Sequence, residues 1–174
     1  MDIFIEEMVE CRKSFLQNLA TFGLVILSVV VAFVLMFVLA PMVGPQFGTI
    51  MPLVAMGIFY LAYKVVTAQN IEYEYSMVNT EIDVDKIINR KNRKRLTTAK
   101  VTGLEAFGVC NEKKGEYEKY LADISVKKIF ASADKKSAEN YFIVYYDESI
   151  KTMLVFSPSE KITEMIEKFN PKRV

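Results

Sequence analysis

The chain is 174 residues long, 52 % apolar and 25 % charged, with a net charge of +1. The charge is unevenly placed: residues 14–63 carry none, whereas residues 70–174 hold 19 Lys/Arg and 17 Asp/Glu. That division excludes a simple soluble enzyme, a charged disordered tail and a collagenous or low-complexity chain.

In residues 1–14, Phe4, Met8 and Cys11 lead to Phe15 at helical spacing, with the acidic side chains mostly elsewhere. This predicts an interfacial helix or an extension of the helix that follows. Residues 15–40 form one apolar run, and Pro41, Gly44 and Pro45 then break it. A second run covers about 47–68, with Pro52 in its first turn, where a missing N–H costs least. A hydrocarbon core of about 30 Å needs about 20 residues to cross. Residues 15–68 therefore read as a two-helix transmembrane hairpin. The apolar stretch is too long, and its leader too acidic, for a secretory signal. Arg12, Lys13, Lys64 and a basic run at 86–100 all flank the hairpin's open end. The positive-inside rule then predicts a two-pass cell-membrane protein with both termini cytoplasmic. Gly48, Ala55 and Ala62 recur every seven residues, and Ser28 and Ala32 form a small-residue pair on the first helix. These five predict the helix-packing faces, within one chain or across a homo-oligomer.

Residues 70–174 read as a β-rich domain. Ile71–Val78 and Glu81–Ile88 alternate apolar and polar residues, as half-buried strands do. Further strands are expected at 95–101, around 106–109, and at 126–131, 141–146 and 152–156. Asp147-Glu148-Ser149 turns the last two into a hairpin. A helix over about 158–169 closes the chain: Ser157 reads as its N-cap, Glu160 completes a capping box, and Pro158 suits the first position. Ile162, Met165, Ile166 and Phe169 give it an apolar stripe. The predicted class is α+β: a transmembrane hairpin, then an antiparallel β domain with a C-terminal helix.

This order resembles the pleckstrin-homology-like fold. The run Glu74–Val84 is similar to its opening hairpin, and Arg93-Lys94-Arg95-Leu96 to the basic segment that follows. The whole chain also resembles a family of small bacterial two-helix membrane proteins. Met1-Asp2-Ile3-Phe4, Ile71-Glu72-Tyr73-Glu74-Tyr75 and Pro171-Lys172-Arg173-Val174 carry that similarity. The resemblance implies a pleckstrin-homology-like domain held at the cytoplasmic leaflet. The chain departs from the commoner bacterial pattern in two places: no Gly closes the second strand, and no Trp anchors the helix.

Arg90, Lys91, Arg93, Lys94 and Arg95 stand between Lys86 and Lys100 with no acid among them. They are the expected contact with anionic lipid headgroups or a membrane-protein partner, each cation contributing about 1 kcal/mol at such a surface. No aromatic residue interleaves with the run, and residues 70–174 net only +2, which argues against nucleic acid. His is absent, and Cys11 and Cys110 lie far apart with no CxxC spacing. No metal, cofactor or catalytic constellation is therefore expected. The pairs Asp83/Asp85 and Glu116/Glu118 read as solvated faces. Two functions fit: a membrane-tethered, non-enzymatic binding or scaffold module, or an accessory subunit acting through its transmembrane helices.

Overall fold

A computed structural model describes residues 4–44, 48, 50–134, 137 and 139–170. The chain divides into two compact units, Lys13–Asn70 and the combination of Met1–Arg12 with Ile71–Val174.

Lys13–Asn70 is helical. Helix α1 (Phe15–Val34) continues through a π-helical stretch (Leu35–Leu39) into a last turn, α2 (Ala40–Val43). Pro41 does not stop this helix, contrary to expectation. The wider π winding before it accommodates the missing N–H and the ring. Gly44 ends the helix with φ 113° and ψ 163°, a conformation open almost only to glycine. Helix α3 spans Ile50–Ala68. Phe15–Met42 and Ile50–Ala68 are each long and apolar enough to cross a membrane.

The other unit holds two sheets. In the first, β1 (Phe4–Glu10), β2 (Ile71–Val78), β3 (Glu81–Ile88) and β4 (Asn92–Lys100) lie side by side, all antiparallel. Residues 4–10 are thus a strand and not a helix. Their alternation buries Ile5 and Val9 beside the core and exposes Phe4 and Met8, the residues on which the helical reading rested. Pairing along all of β2 gives these seven residues a hydrogen-bonding edge that an isolated segment lacks, and tertiary structure overrides local spacing. The domain boundary moves accordingly: residues 4–12 belong with the β-rich unit.

The second sheet contains β5 (Ala106–Val109), β6 (Lys127–Ala131), β7 (Tyr141–Asp147) and β8 (Ile150–Phe156), in the order β5-β7-β8-β6. It is mixed, since β6 pairs parallel to β8. Strand β8 lies between β6 and β7, so the chain passes over β8 on its way from β6 to β7 and returns by the β7–β8 hairpin to lie beside β6. Helix α4 (Lys114–Ala122), unanticipated from sequence, contributes Tyr117 and Tyr120 to an apolar cluster with Phe142, Val144, Met153 and Val155. The alternate residues Ile143, Leu154 and Phe156 join Tyr75, Met77, Ile82 and Val84 of the first sheet and Ile162 and Ile166 of helix α5 (Glu160–Phe169) in the main core. Burial of both faces explains the nearly continuous apolar sequence of β7. Helix α5 begins two residues later than expected, with Ser159 as N-cap. Ser157 instead joins a polar network: its Oγ donates to Asn140 Oδ1 (2.8 Å), and its N–H to the Tyr75 hydroxyl (3.2 Å). The Tyr75 hydroxyl in turn donates to the Ala131 carbonyl, tying the two sheets together.

Candidate functional site

The basic run lies on β4 and the β3–β4 turn, where residues 89–91 connect Ile88 to Asn92. Asn89 and Arg90 both have φ 54°, a left-handed conformation that is uncommon for arginine. Side chains alternate along a strand, so β4 divides its cations between two faces. A bulge decides which face each receives. Val84 pairs with Thr97 but Asp85 pairs with Arg95, leaving Leu96 as the extra residue. Leu96 packs beside the core, and Arg93 and Arg95 are brought onto the outer face of the sheet.

There they meet carboxylates. Arg93 Nε donates to Asp85 Oδ2 (2.7 Å), and its guanidinium also pairs with Glu74. Arg95 bridges Asp85 and Asp83, at 3.1 Å each. Arg90 reaches Glu72 (2.7 Å) and Glu10 (2.9 Å). Glu74 lies directly opposite Asp85, and Glu10 opposite Glu72; such like-charged neighbours repel unless a cation joins them. Hydrogen bonding to Glu72 and then Glu10 raises the pKa of Arg90, and Asp85 does the same for Arg95. Asp85, read from sequence as part of a solvated pair, is buried with Glu74 under the arginines. Glu116 and Glu118 are exposed on α4.

Lys94 lies between Arg93 and Arg95 and points to the opposite face, across from Lys86. Lys91 is in the turn. Lys86, Lys91 and Lys94 have no ion-pair partner among the described residues. The five predicted contact residues thus separate into three arginines held by the sheet and two open lysines, joined by Lys86. These lysines sit at a particular edge. Ile88 pairs with Ile71, and the Cys11 N–H donates to the Ile71 carbonyl (3.0 Å). The chain therefore leaves this unit after β1, and rejoins it at β2, beside the β3–β4 turn.

Among the predicted helix-packing residues, Ser28, Ala32 and Ala55 are buried and Ala62 is half-buried. Helices α1 and α3 contact each other, and Thr21 Oγ1 hydrogen-bonds Gln69 Oε1 (2.8 Å) across them. Gly48 lies before α3, exposed in a turn. Extending the helix back over it would require a bond from the N–H that Pro52 lacks.

A polar cavity of about 270 Å³ opens near the end of β1, lined by Arg12, Asp134, Ser137, Glu139, Asn140 and Ser157 among others. Sequence reading missed it, because its residues come from three segments far apart in the chain: Arg12, 133–140 and 157–158. Elsewhere, burial pushes the Cys110 thiol up to about 11 and the Tyr145 hydroxyl to about 12. The described residues hold no group of three Cys, Asp or Glu placed to bind a metal ion.

The family of bacterial pleckstrin-homology-like domains, DUF6106, matches residues 1–174. The chain belongs to this family. No curated protein and no solved structure matches it. The family match spans both the β-rich unit and the two apolar helices, and it assigns a pleckstrin-homology-like character to a chain with two sheets and a closing C-terminal helix.

Proposed function

We propose that the protein is a two-pass membrane protein whose pleckstrin-homology-like domain is a non-enzymatic binding module at the cytoplasmic leaflet. The observation that carries this reading is the pairing of β1 with β2, neighbours in one sheet although both apolar helices lie between them in sequence. The helices are an insertion in a β-hairpin, so the domain is fixed to them by two adjacent strand ends. Lys86, Lys91 and Lys94 occupy the edge from which the chain leaves for the helices. Three cations near an anionic surface supply roughly 2–3 kcal/mol. That suffices to orient a domain already attached, and is too little to recruit a free one. Ser28, Ala32 and Ala55 of α1 and α3 are buried, which leaves these three small residues unavailable to a partner of the helices.

Cysteine accessibility tests this reading. In cells with Cys11 and Cys110 replaced, Met42→Cys should react with an impermeant thiol reagent, and Glu112→Cys should react only after lysis. Labelling of Glu112→Cys in intact cells would reverse the topology.

A further inference from the structure

Strand β1 is an edge of the first sheet, and alternate residues of its backbone face away from β2. Cys11 and Ile71 are a hydrogen-bonded pair, so Ile5, Glu7 and Val9 direct their N–H and C=O groups to β2. Phe4, Glu6, Met8 and Glu10 direct theirs the other way. The next outward N–H of the series, that of Arg12, already donates to the Ala133 carbonyl (2.8 Å). Among the described residues no backbone bond reaches the outward groups of Phe4, Glu6, Met8 or Glu10. An open edge of this kind is a template for one more strand. The same four residues carry exposed side chains. Phe4 and Met8 are 64 % and 62 % exposed, and Phe4 stands opposite the exposed Val78. Glu6, between them, has no ion-pair partner among the described residues, and Glu10 shares Arg90 with Glu72. The edge therefore alternates apolar, acidic, apolar, acidic.

That pattern selects the occupant. Two copies of β1 are poor partners: every antiparallel register that joins most of both strands sets Glu6 against Glu6, Glu7 against Glu7 or Glu6 against Glu10, and like charges directly opposite are destabilising. The same carboxylates repel an anionic lipid surface. We propose that β1 binds an extended peptide segment in which basic and apolar residues alternate, added to the sheet as an antiparallel strand. Its cations lie opposite Glu6 and Glu10, and its apolar side chains opposite Phe4 and Met8. The main-chain bonds supply the attachment, and the alternate side chains supply the selection. The inference gives a partner class to the binding module of the proposed function and rests on that reading; it does not rest on the topology or on the three lysines.

The test uses the full chain in detergent micelles, titrated with an acetylated and amidated peptide of sequence Lys-Thr-Val-Thr-Lys-Thr-Val and followed by calorimetry. Two comparators isolate the two halves of the argument. One carries Glu in place of both Lys, and the other is N-methylated at both Val, which removes donors that face β1. The basic peptide should bind roughly tenfold or more tightly than either. Glu6→Lys should weaken it by about the same factor with unchanged near-ultraviolet dichroism, whereas Glu118→Lys, an equal charge change on α4, should not. Amide hydrogen exchange gives a second signature. In the complex it should slow at Glu6, Met8 and Glu10 and change little at Ile5, Glu7 and Val9, which already bond β2. No binding, equal affinity for the basic and acidic peptides, full affinity for the methylated one, an equal loss in both variants, or protection without this alternation would overturn the proposal. Binding in micelles does not depend on topology, so a failed titration strikes the β1 edge, and labelling of Glu112→Cys in intact cells strikes the membrane reading.

Discussion

Replacing Arg93 with Met removes a cation from above two carboxylates that face each other across β2 and β3. Glu74 and Asp85 are only 4 % and 5 % exposed. Asp85 keeps Arg95, but Arg93 is the only ion-pair partner of Glu74 among the described residues. Removing one member of a fully buried pair costs about 3–5 kcal/mol. The Arg93 side chain is 54 % exposed, so water already supports part of the interaction. About 2 kcal/mol is the expected loss after that discount. In a domain of this size it lowers the melting temperature by roughly 6–10 °C. Thermal unfolding of the full chain in micelles, followed by near-ultraviolet dichroism of the buried tyrosines, measures it. Arg93→Met with Glu74→Gln should recover at least half the loss, because the second change removes the uncompensated charge. Lys94→Met, on the other face, should change stability by less than about 0.5 kcal/mol. A neutral Arg93→Met, or a double variant no better than the single, would refute the assignment of the arginines to the sheet.

Four other outcomes follow from the same geometry. Burial raises the Cys110 thiol to about 11, so at pH 8 N-ethylmaleimide should modify Cys110 only after denaturation; labelling of the native chain at the rate of an exposed thiol would contradict this. A hydrogen bond from Lys151 (2.7 Å) holds the Glu105 carboxyl below its usual range. The stability it contributes is present above the ordinary Glu value of about 4.3 and lost as pH falls through the lower folded value. Lys151→Met should therefore destabilise the protein at pH 7, and the difference from wild type should shrink below about pH 4; a constant difference would count against the pair. Ala55→Phe should weaken the packing of α1 and α3, read as faster proteolysis in micelles, whereas Leu53→Phe, at a 67 % exposed position, should have little effect. In nanodiscs of anionic lipid, hydrogen exchange in the β3–β4 hairpin should be slower than in neutral discs. Lys86, Lys91 and Lys94 changed together to Ser, or a few tenths molar salt, should remove that difference; protection that survives both would exclude a role for the lysines.

Much of the fold was legible in the sequence. The alternation of Ile71–Val78 and Glu81–Ile88 gave both strands to the residue, and the uncharged block located both long helices. Strand β1 was hidden because Phe4, Met8 and Cys11 satisfy a helical period while Ile5, Val9 and Cys11 satisfy a strand period, and only the partner β2 chooses between them. Helix α4 buries little beyond Tyr117 and Tyr120, too few positions to mark a period. The basic run was conspicuous, but its division was not. Whether Arg93 or Lys94 faces the acids depends on the bulge at Leu96, and the acids come from β1, β2 and β3. The cavity drew on Arg12, Asn140 and Ser157, which no local pattern connects.

The strand before the two apolar helices and the strand after them are neighbours in one sheet. Glu6 lies opposite Ser76. The Cys11 N–H bond to Ile71 makes 11 and 71 a hydrogen-bonded pair, so 6 and 76 are a non-hydrogen-bonded pair, in which side chains are closest. Glu6→Cys with Ser76→Cys, oxidised mildly in native membranes, should form an intramolecular disulfide in most molecules. Glu6→Cys with Thr98→Cys should not, because three strand spacings of about 4.8 Å separate those positions. Failure of the Glu6/Ser76 bond, or equal yield from both pairs, would contradict the account.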